Sequence, residues 1–212
     1  MKIADALTGF YAVLDRDDEE LARTLLAAGA RVLQLRIKAD VPVGAGALVR
    51  IARACRRLCD EAGAALIVND RIDVALAARA DGVHLGQTDL SLRDARRVAG
   101  ARLWIGISTH NLAQVTLARA GGADYVGFGP VFVTRTKKNP DPVQGLTGLR
   151  AAVAMAGDVP VVAIGGIAPE NAPGVYATGA AAICAIGAVN DSADVMGNAR
   201  RLHRNSGSYE DE

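Results

Sequence analysis

Short apolar and β-branched runs recur along this chain, separated by Ala-, Leu- and Arg-rich segments of helical spacing. The runs are Phe10 to Leu14, Val32 to Ile37, Ala65 to Val68, Gly82 to Leu85, Leu103 to Ile107, Tyr125 to Phe128, Pro160 to Ile164 and Ala181 to Ala185. Each is too short for a helix and predicts a strand. Between two of them, Leu48, Ile51, Ala52, Cys55, Leu58 and Cys59 lie three and four apart, the signature of a helix with one buried stripe. Gly29, Gly63, Gly82, Gly100, Gly122, Gly157 and Gly179 fall where helices return to strands, and are expected to stop those helices in a left-handed conformation. Near-repeats such as Ala28-Gly29-Ala30 and Ala62-Gly63-Ala64 point to one reused βα unit.

Strict alternation of strand and helix implies a parallel sheet buried on both faces. Eight units predict an α/β fold, a single (β/α)8 TIM barrel over residues 1–204, followed by a polar, frayed tail at 205–212. An open doubly wound sheet is the alternative. Its usual glycine-rich turn after the first strand is replaced here by Asp15-Arg16-Asp17-Asp18. The 212 residues are 50% hydrophobic, enough for one barrel core. A net charge of +1, from 24 basic and 23 acidic residues, gives no field that would favour nucleic acid or membrane. With no transmembrane or secretory pattern, a cytoplasmic location is expected. Cys55, Cys59 and Cys184 form no disulfide framework, and the first two read as buried helix residues.

Barrel enzymes carry their chemistry at the C-terminal ends of the strands, and the polar residues are expected to gather there, with nothing comparable at the N-terminal ends. Gln34, Arg36 and Lys38 alternate with Leu35 and Ile37, so an amide and two cations would project from one face. Two cations on an apolar strand need a negative partner, and a bound phosphate or pyrophosphate would supply it. The third strand ends in Asn69-Asp70-Arg71, the fourth leads through His84 to Asp89, and the fifth ends at Ser108 with His110 beyond. The sixth runs into a loop bearing Thr134, Thr136, Lys137 and Lys138. The seventh ends in Gly165-Gly166. Asp70 and Asp89 could hold Mg²⁺ against a pyrophosphate, because that ion takes one or two carboxylates plus phosphate oxygens and water. Gly165-Gly166 and the segment after strand eight suit a second phosphate. Each element has a plainer reading, as a helix cap at Asn69-Asp70 or Asp89, or as a turn at the glycines.

Together, Gln34-Leu-Arg-Ile-Lys38, Val68-Asn-Asp-Arg71, Asp81-Gly-Val-His-Leu-Gly-Gln-Thr-Asp89, Gly106-Ile-Ser-Thr-His110, Ala123-Asp-Tyr-Val-Gly-Phe-Gly-Pro130, Thr134-Arg-Thr-Lys137 and Val162-Ala-Ile-Gly-Gly-Ile167 resemble the thiamine-phosphate synthase family, in order and over almost the whole chain. The resemblance implies a transferase joining a pyrimidine diphosphate to a thiazole phosphate, with Mg²⁺ held by Asp70 and Asp89. It implies that Arg36, Lys38, Asn69 and Lys137 hold the diphosphate and that Gln34 and Ser108 border the pyrimidine and its leaving group. Thr134, Thr136, Gly166 and the Ile183-Cys184 segment would receive the thiazole phosphate, and Arg36, Lys38, Ser108 and Lys137 would serve catalysis. Small-molecule substrates are the expected partners, with room for a homo-oligomer. Two departures stand out: Val133 where the family has proline, and Cys184 where it has serine, a loss expected to be small if backbone N–H groups bind the phosphate. The rival readings are a thiazole tautomerase, with His84 or His110 as acid–base, and a phosphate-binding regulatory barrel. The loop from Val133 to Pro142 is a plausible lid.

Overall fold

The computed structural model describes residues 3–37, 43–134 and 141–203. Lys38, Thr136, Lys137, Lys138, the middle of the Val133–Pro142 loop and the 205–212 tail lie outside the described residues. Eight parallel strands close into a barrel in chain order: β1 (Gly9–Leu14), β2 (Val32–Leu35), β3 (Ala65–Asn69), β4 (Gly82–Leu85), β5 (Trp104–Thr109), β6 (Tyr125–Phe128), β7 (Val161–Ile164) and β8 (Ala182–Cys184). Each strand pairs with the next, and β8 returns to β1 through Tyr11 opposite Cys184. Helices α2 (Glu19–Ala27), α3 (Ala45–Ala62), α4 (Ile72–Ala78), α5 (Leu92–Ala99), α6 (Leu112–Ala120), α7 (Gly145–Ala156) and α8 (Ala172–Tyr176) lie between strands. A short α1 (Ile3–Ala6) precedes β1, and α9 (Gly187–Asn190) and α10 (Val195–Arg201) follow β8.

The expected (β/α)8 barrel is present, and alternate residues of its strands build two separate cores. Leu33, Leu35, Leu66, Val83, Ile105 and Ile183 point outward into the layer shared with the helices. Val13, Val32, Ala65, Ile67, Val162 and Ala182 point inward, and Ala6 and Leu7 beside α1 join this inner cluster. Cys55 and Cys59 are buried on α3, as expected, and burial pushes both thiols up to about 12.

Two local expectations are corrected. Strand β2 ends at Leu35, so Arg36 and Ile37 stand just beyond it, although Arg36 still donates its backbone N–H to Leu14 O at 2.9 Å. Gly82 does not stop a helix. Helix α4 ends instead at Arg79, in the left-handed region at φ 55°, and Gly82 opens β4 where a Cβ would lie 2.8 Å from Ile67 Cδ1 and from Trp104 O. The other six glycines do have positive φ.

The N-terminal end also carries charged residues, contrary to the expectation that it carries nothing comparable, and they are bonded within the fold. Asp81, just before β4, accepts from Leu66 N–H of β3 at 2.8 Å and pairs with Arg56 of α3. Asp124, just before β6, accepts from Ile105 N–H of β5 at 2.7 Å and pairs with Arg96 of α5 at 2.6 Å. Each arginine also donates to the carbonyl just ahead of the strand that follows its helix, Arg56 to Ala64 O at 3.1 Å and Arg96 to Leu103 O at 2.9 Å. The clamp is thus built twice, two βα units apart.

Candidate active site

A cavity of about 830 Å³ opens at the C-terminal end of the barrel. Of the residues singled out from sequence, Gln34, Arg36, Asn69, Asp70, Asp89, Ser108, Thr134, Gly166 and Cys184 line it. Ile183 is fully buried in the outer layer, so its side chain faces away while its neighbour Cys184 faces in. Lys38, Thr136 and Lys137 are among the residues outside the description.

One side of the rim gathers the charged groups. Arg36 lines the cavity half-buried, and among the described residues its guanidinium has no hydrogen bond or ion pair. Asn69 ends β3, and Asp70 follows in the left-handed region at φ 62°, its N–H bonded to His84 O at 2.8 Å. A non-glycine residue held there stores strain, which recurs at functional sites. Helix α4 begins at Ile72 with no side-chain cap, so neither Asn69 nor Asp70 serves that plainer role. Asp89 does not cap α5 either. Its Oδ2 accepts from Gly86 N–H at 2.7 Å, while Ser91 Oγ caps the helix by accepting from Asp94 N–H at 3.1 Å. Both carboxylates line the cavity, from the ends of the adjacent strands β3 and β4. Among the described residues no group of three or more His, Cys, Asp or Glu could hold a metal. That donor set fits an ion completing its shell with phosphate oxygens and water, as Mg²⁺ does, better than one caged by protein alone.

Beneath the charged rim lies a continuous polar layer inside the barrel. Gln34 Nε2 donates to Tyr11 Oη at 2.8 Å, and Tyr11 Oη meets Tyr125 Oη at 2.9 Å. Tyr125 Oη lies 3.0 Å from His84 Nδ1, and His84 Nε2 lies 2.9 Å from Ser108 Oγ. Five strands contribute one residue each. Glycines make the room: a Cβ on Gly106 would sit 2.1 Å from Tyr125 Cζ, and one on Gly127 3.2 Å from His84 Cε1. Burial and the nearby Arg36 charge pull His84 down to about 4, so its imidazole is neutral at pH 7. Burial raises both tyrosines above their ordinary value. The sequence reading missed Tyr11 and Tyr125, since aromatics in strands read as core. The inward glycines were the available signal. Gln87 adds a further hold on Ser108, donating Nε2 to its carbonyl at 2.6 Å.

The opposite wall is built by close backbone approach. Gly165 and Gly166 have φ of 100° and 65°, and a Cβ on Gly166 would lie 2.4 Å from Val133 O. The segment after β6 is laced onto β7 through Val131 N–H to Ile164 O and Phe132 N–H to Gly165 O, both 2.9 Å. The two glycines therefore admit this strap, whose end carries Thr134, as well as leaving backbone bare toward the cavity. His110, also on the rim, is held by Gly129 O at 2.7 Å from Nδ1. Cys184 faces the cavity as a protonated thiol, burial pushing it up to about 12. Both ring nitrogens of His84 are engaged by protein groups, which disfavours it as the free acid–base of a tautomerase.

Comparison with known proteins identifies the family. A profile described as thiamine monophosphate synthase matches residues 8–189. The thiamine-phosphate synthase of Methanocella arvoryzae is 48% identical over 86% of this chain and 84% of its own length. That of Moorella thermoacetica is 46% identical over 86% and 85%. The solved thiamine phosphate pyrophosphorylase from Pyrococcus furiosus superposes with a TM-score of 0.86 at 37% identity, covering 95% of this chain and 96% of that one. A 3-hexulose-6-phosphate synthase, at 20% identity and a TM-score of 0.67, shares the fold. The chain therefore belongs to the thiamine monophosphate synthase family of transferases and is an enzyme of thiamine biosynthesis.

Proposed function

We propose that the cavity joins 4-amino-2-methyl-5-hydroxymethylpyrimidine diphosphate to 4-methyl-5-(2-phosphoethyl)thiazole. The displacement is dissociative: the pyrimidine methylene carbon's bond to the diphosphate oxygen breaks first, its electron pair leaving with pyrophosphate. The thiazole nitrogen then bonds to the resulting pyrimidinylmethyl cation, which the ring's amino group stabilises, giving thiamine phosphate. The nitrogen attacks with a free lone pair, so no general base is required. Catalysis then consists of neutralising charge on the leaving group and aligning two substrates.

The observation that carries this reading is Arg36, a half-buried cation without a protein partner among the described residues, on the same rim as Asn69, Asp70 and Asp89. Arg36 and Asn69, with Lys38 and Lys137, hold the diphosphate. Asp70 and Asp89 hold Mg²⁺, which when bound offsets charge on the diphosphate oxygens. Gln34 and Ser108 border the pyrimidine and the leaving oxygen. Thr134 and Thr136, with backbone at Gly166 and at the Ile183-Cys184 segment, receive the thiazole phosphate. Backbone there makes the thiol of Cys184 a minor change. We take the cytoplasm as its place of work; among the described residues no helix is long and apolar enough to cross a membrane.

Calorimetric titration with inorganic pyrophosphate tests the metal-dependent half of the site. Binding is expected with Mg²⁺ and absent with EDTA, and weakened about tenfold or more by Asp70→Asn or Asp89→Asn. Equal binding with and without Mg²⁺ would remove the metal from the account.

A further inference from the structure

The hydrogen-bonded layer beneath the cavity has a direction, and its two ends decide it. Its members are Gln34, Tyr11, Tyr125, His84 and Ser108, linked at 2.8, 2.9, 3.0 and 2.9 Å. Gln34 presents its amide N–H to Tyr11 Oη, so that oxygen accepts at one end and its own proton passes on to Tyr125. Tyr125 then donates to His84 Nδ1, which leaves the imidazole proton on Nε2, and Nε2–H donates to Ser108 Oγ. Ser108 has accepted from below and keeps its own proton for the cavity. The opposite order, with Gln34 still donating, would give Tyr11 Oη two incoming protons and strand its own in a residue only 3% exposed. Both residues line the cavity, but Tyr11 is almost fully buried whereas Ser108 is only part-buried, so stranding a donor at Tyr11 costs more than presenting one at Ser108.

We propose that Tyr11, Tyr125 and His84 are positioning residues that fix Ser108 as a hydrogen-bond donor toward the cavity, with the direction set by the amide of Gln34. This deepens the synthase reading and rests on it for the identity of the acceptor, an oxygen of the departing diphosphate. The relay moves no proton during turnover. It presets which way one hydroxyl points, so the donor meets developing negative charge without reorganising.

The tautomer of His84 can be read without substrate, by long-range ¹H–¹⁵N correlation of the imidazole, with the signal assigned by its loss in His84→Gln. The expected form near neutral pH is Nε2–H. An Nδ1–H tautomer or an imidazolium in the wild-type protein overturns the proposal. Gln34→Glu, whose ionised carboxylate only accepts, should reverse the chain and move the proton to Nδ1. An unchanged tautomer, with the carboxylate shown to be ionised by its ¹³C shift, also overturns it. In turnover, Ser108→Ala should lower kcat about 10²-fold in the wild-type background but less than about threefold in Gln34→Glu, where the donor has already been turned away. Equal losses in both backgrounds would refute the relay. A wild-type protein with the Nε2–H tautomer but no turnover would refute the synthase reading alone.

Discussion

At the N-terminal end of the barrel, Asp124 accepts from Ile105 N–H and pairs with Arg96, and Asp81 does the same with Leu66 N–H and Arg56. At the C-terminal end, Arg36 reaches the cavity with no partner among the described residues. Both ends place charge on an apolar scaffold, and desolvation penalises it at both. At one end the fold supplies the compensating charge, and the carboxylate oxygen that meets the arginine also accepts a strand N–H. At the other, no described residue pairs with Arg36, which suits the proposal that an entering anion compensates it. The pairing of a charge, more than its presence, separates a residue that holds the barrel from one that serves its chemistry.

The sharpest break of this comparison is to remove one charge from each end. Arg36→Ala should lower kcat by about 10²–10³, in the range of a lost transition-state donor, with Tm within about 2 °C of the wild type. Kinetics with both substrates and a thermal melt check the two halves, and a large fall in Tm would make Arg36 structural. The layer between the ends offers a comparable effect in stability. His84 sits near 4 in the fold against 6.5 unfolded, so the unfolded chain binds more protons between those values. Its contribution is intact above pH 6.5 and lost as pH falls toward 4, by up to about 3 kcal/mol. Urea titrations across that window should show His84→Gln losing less stability on acidification than the wild type. Parallel slopes would mean that the buried imidazole does not titrate in this way. Smaller again is Asp124→Ala, which leaves the buried N–H of Ile105 unpaired and should cost about 1–3 kcal/mol with kcat per folded molecule unchanged. A urea melt and an assay at saturating substrate read it, and a kcat loss without destabilisation would erase the distinction between the ends.

Much of this was legible before any coordinates. The eight strands follow from short apolar runs between helical segments, and the side of β2 bearing Gln34 and Arg36 follows from period-two alternation, which survives even though β2 ends before Arg36. The motif residues Asp70, Asp89, Ser108 and Gly166 line one cavity because strand ends in a barrel converge whatever the helices do. Other features depended on tertiary partners that sequence spacing does not reveal. Asp81 and Asp124 sit in the same motifs as site residues, yet they face the far end of the barrel and bond the neighbouring strand. Arg79 takes the left-handed position that Gly82 was expected to fill, since Gly82 is needed for contact with Ile67 and Trp104. Tyr11 and Tyr125 read as core residues, and it is their hydroxyl contacts with each other, with Gln34 and with His84 that make them part of the site.

The most direct measurement is pyrophosphate release by the purified protein, given both substrates and either Mg²⁺ or EDTA, with thiamine phosphate followed chromatographically. The account predicts release only when both substrates and Mg²⁺ are present, matched mole for mole by thiamine phosphate. Release from the pyrimidine diphosphate alone at the same rate, or no release from protein shown to be folded, would contradict it.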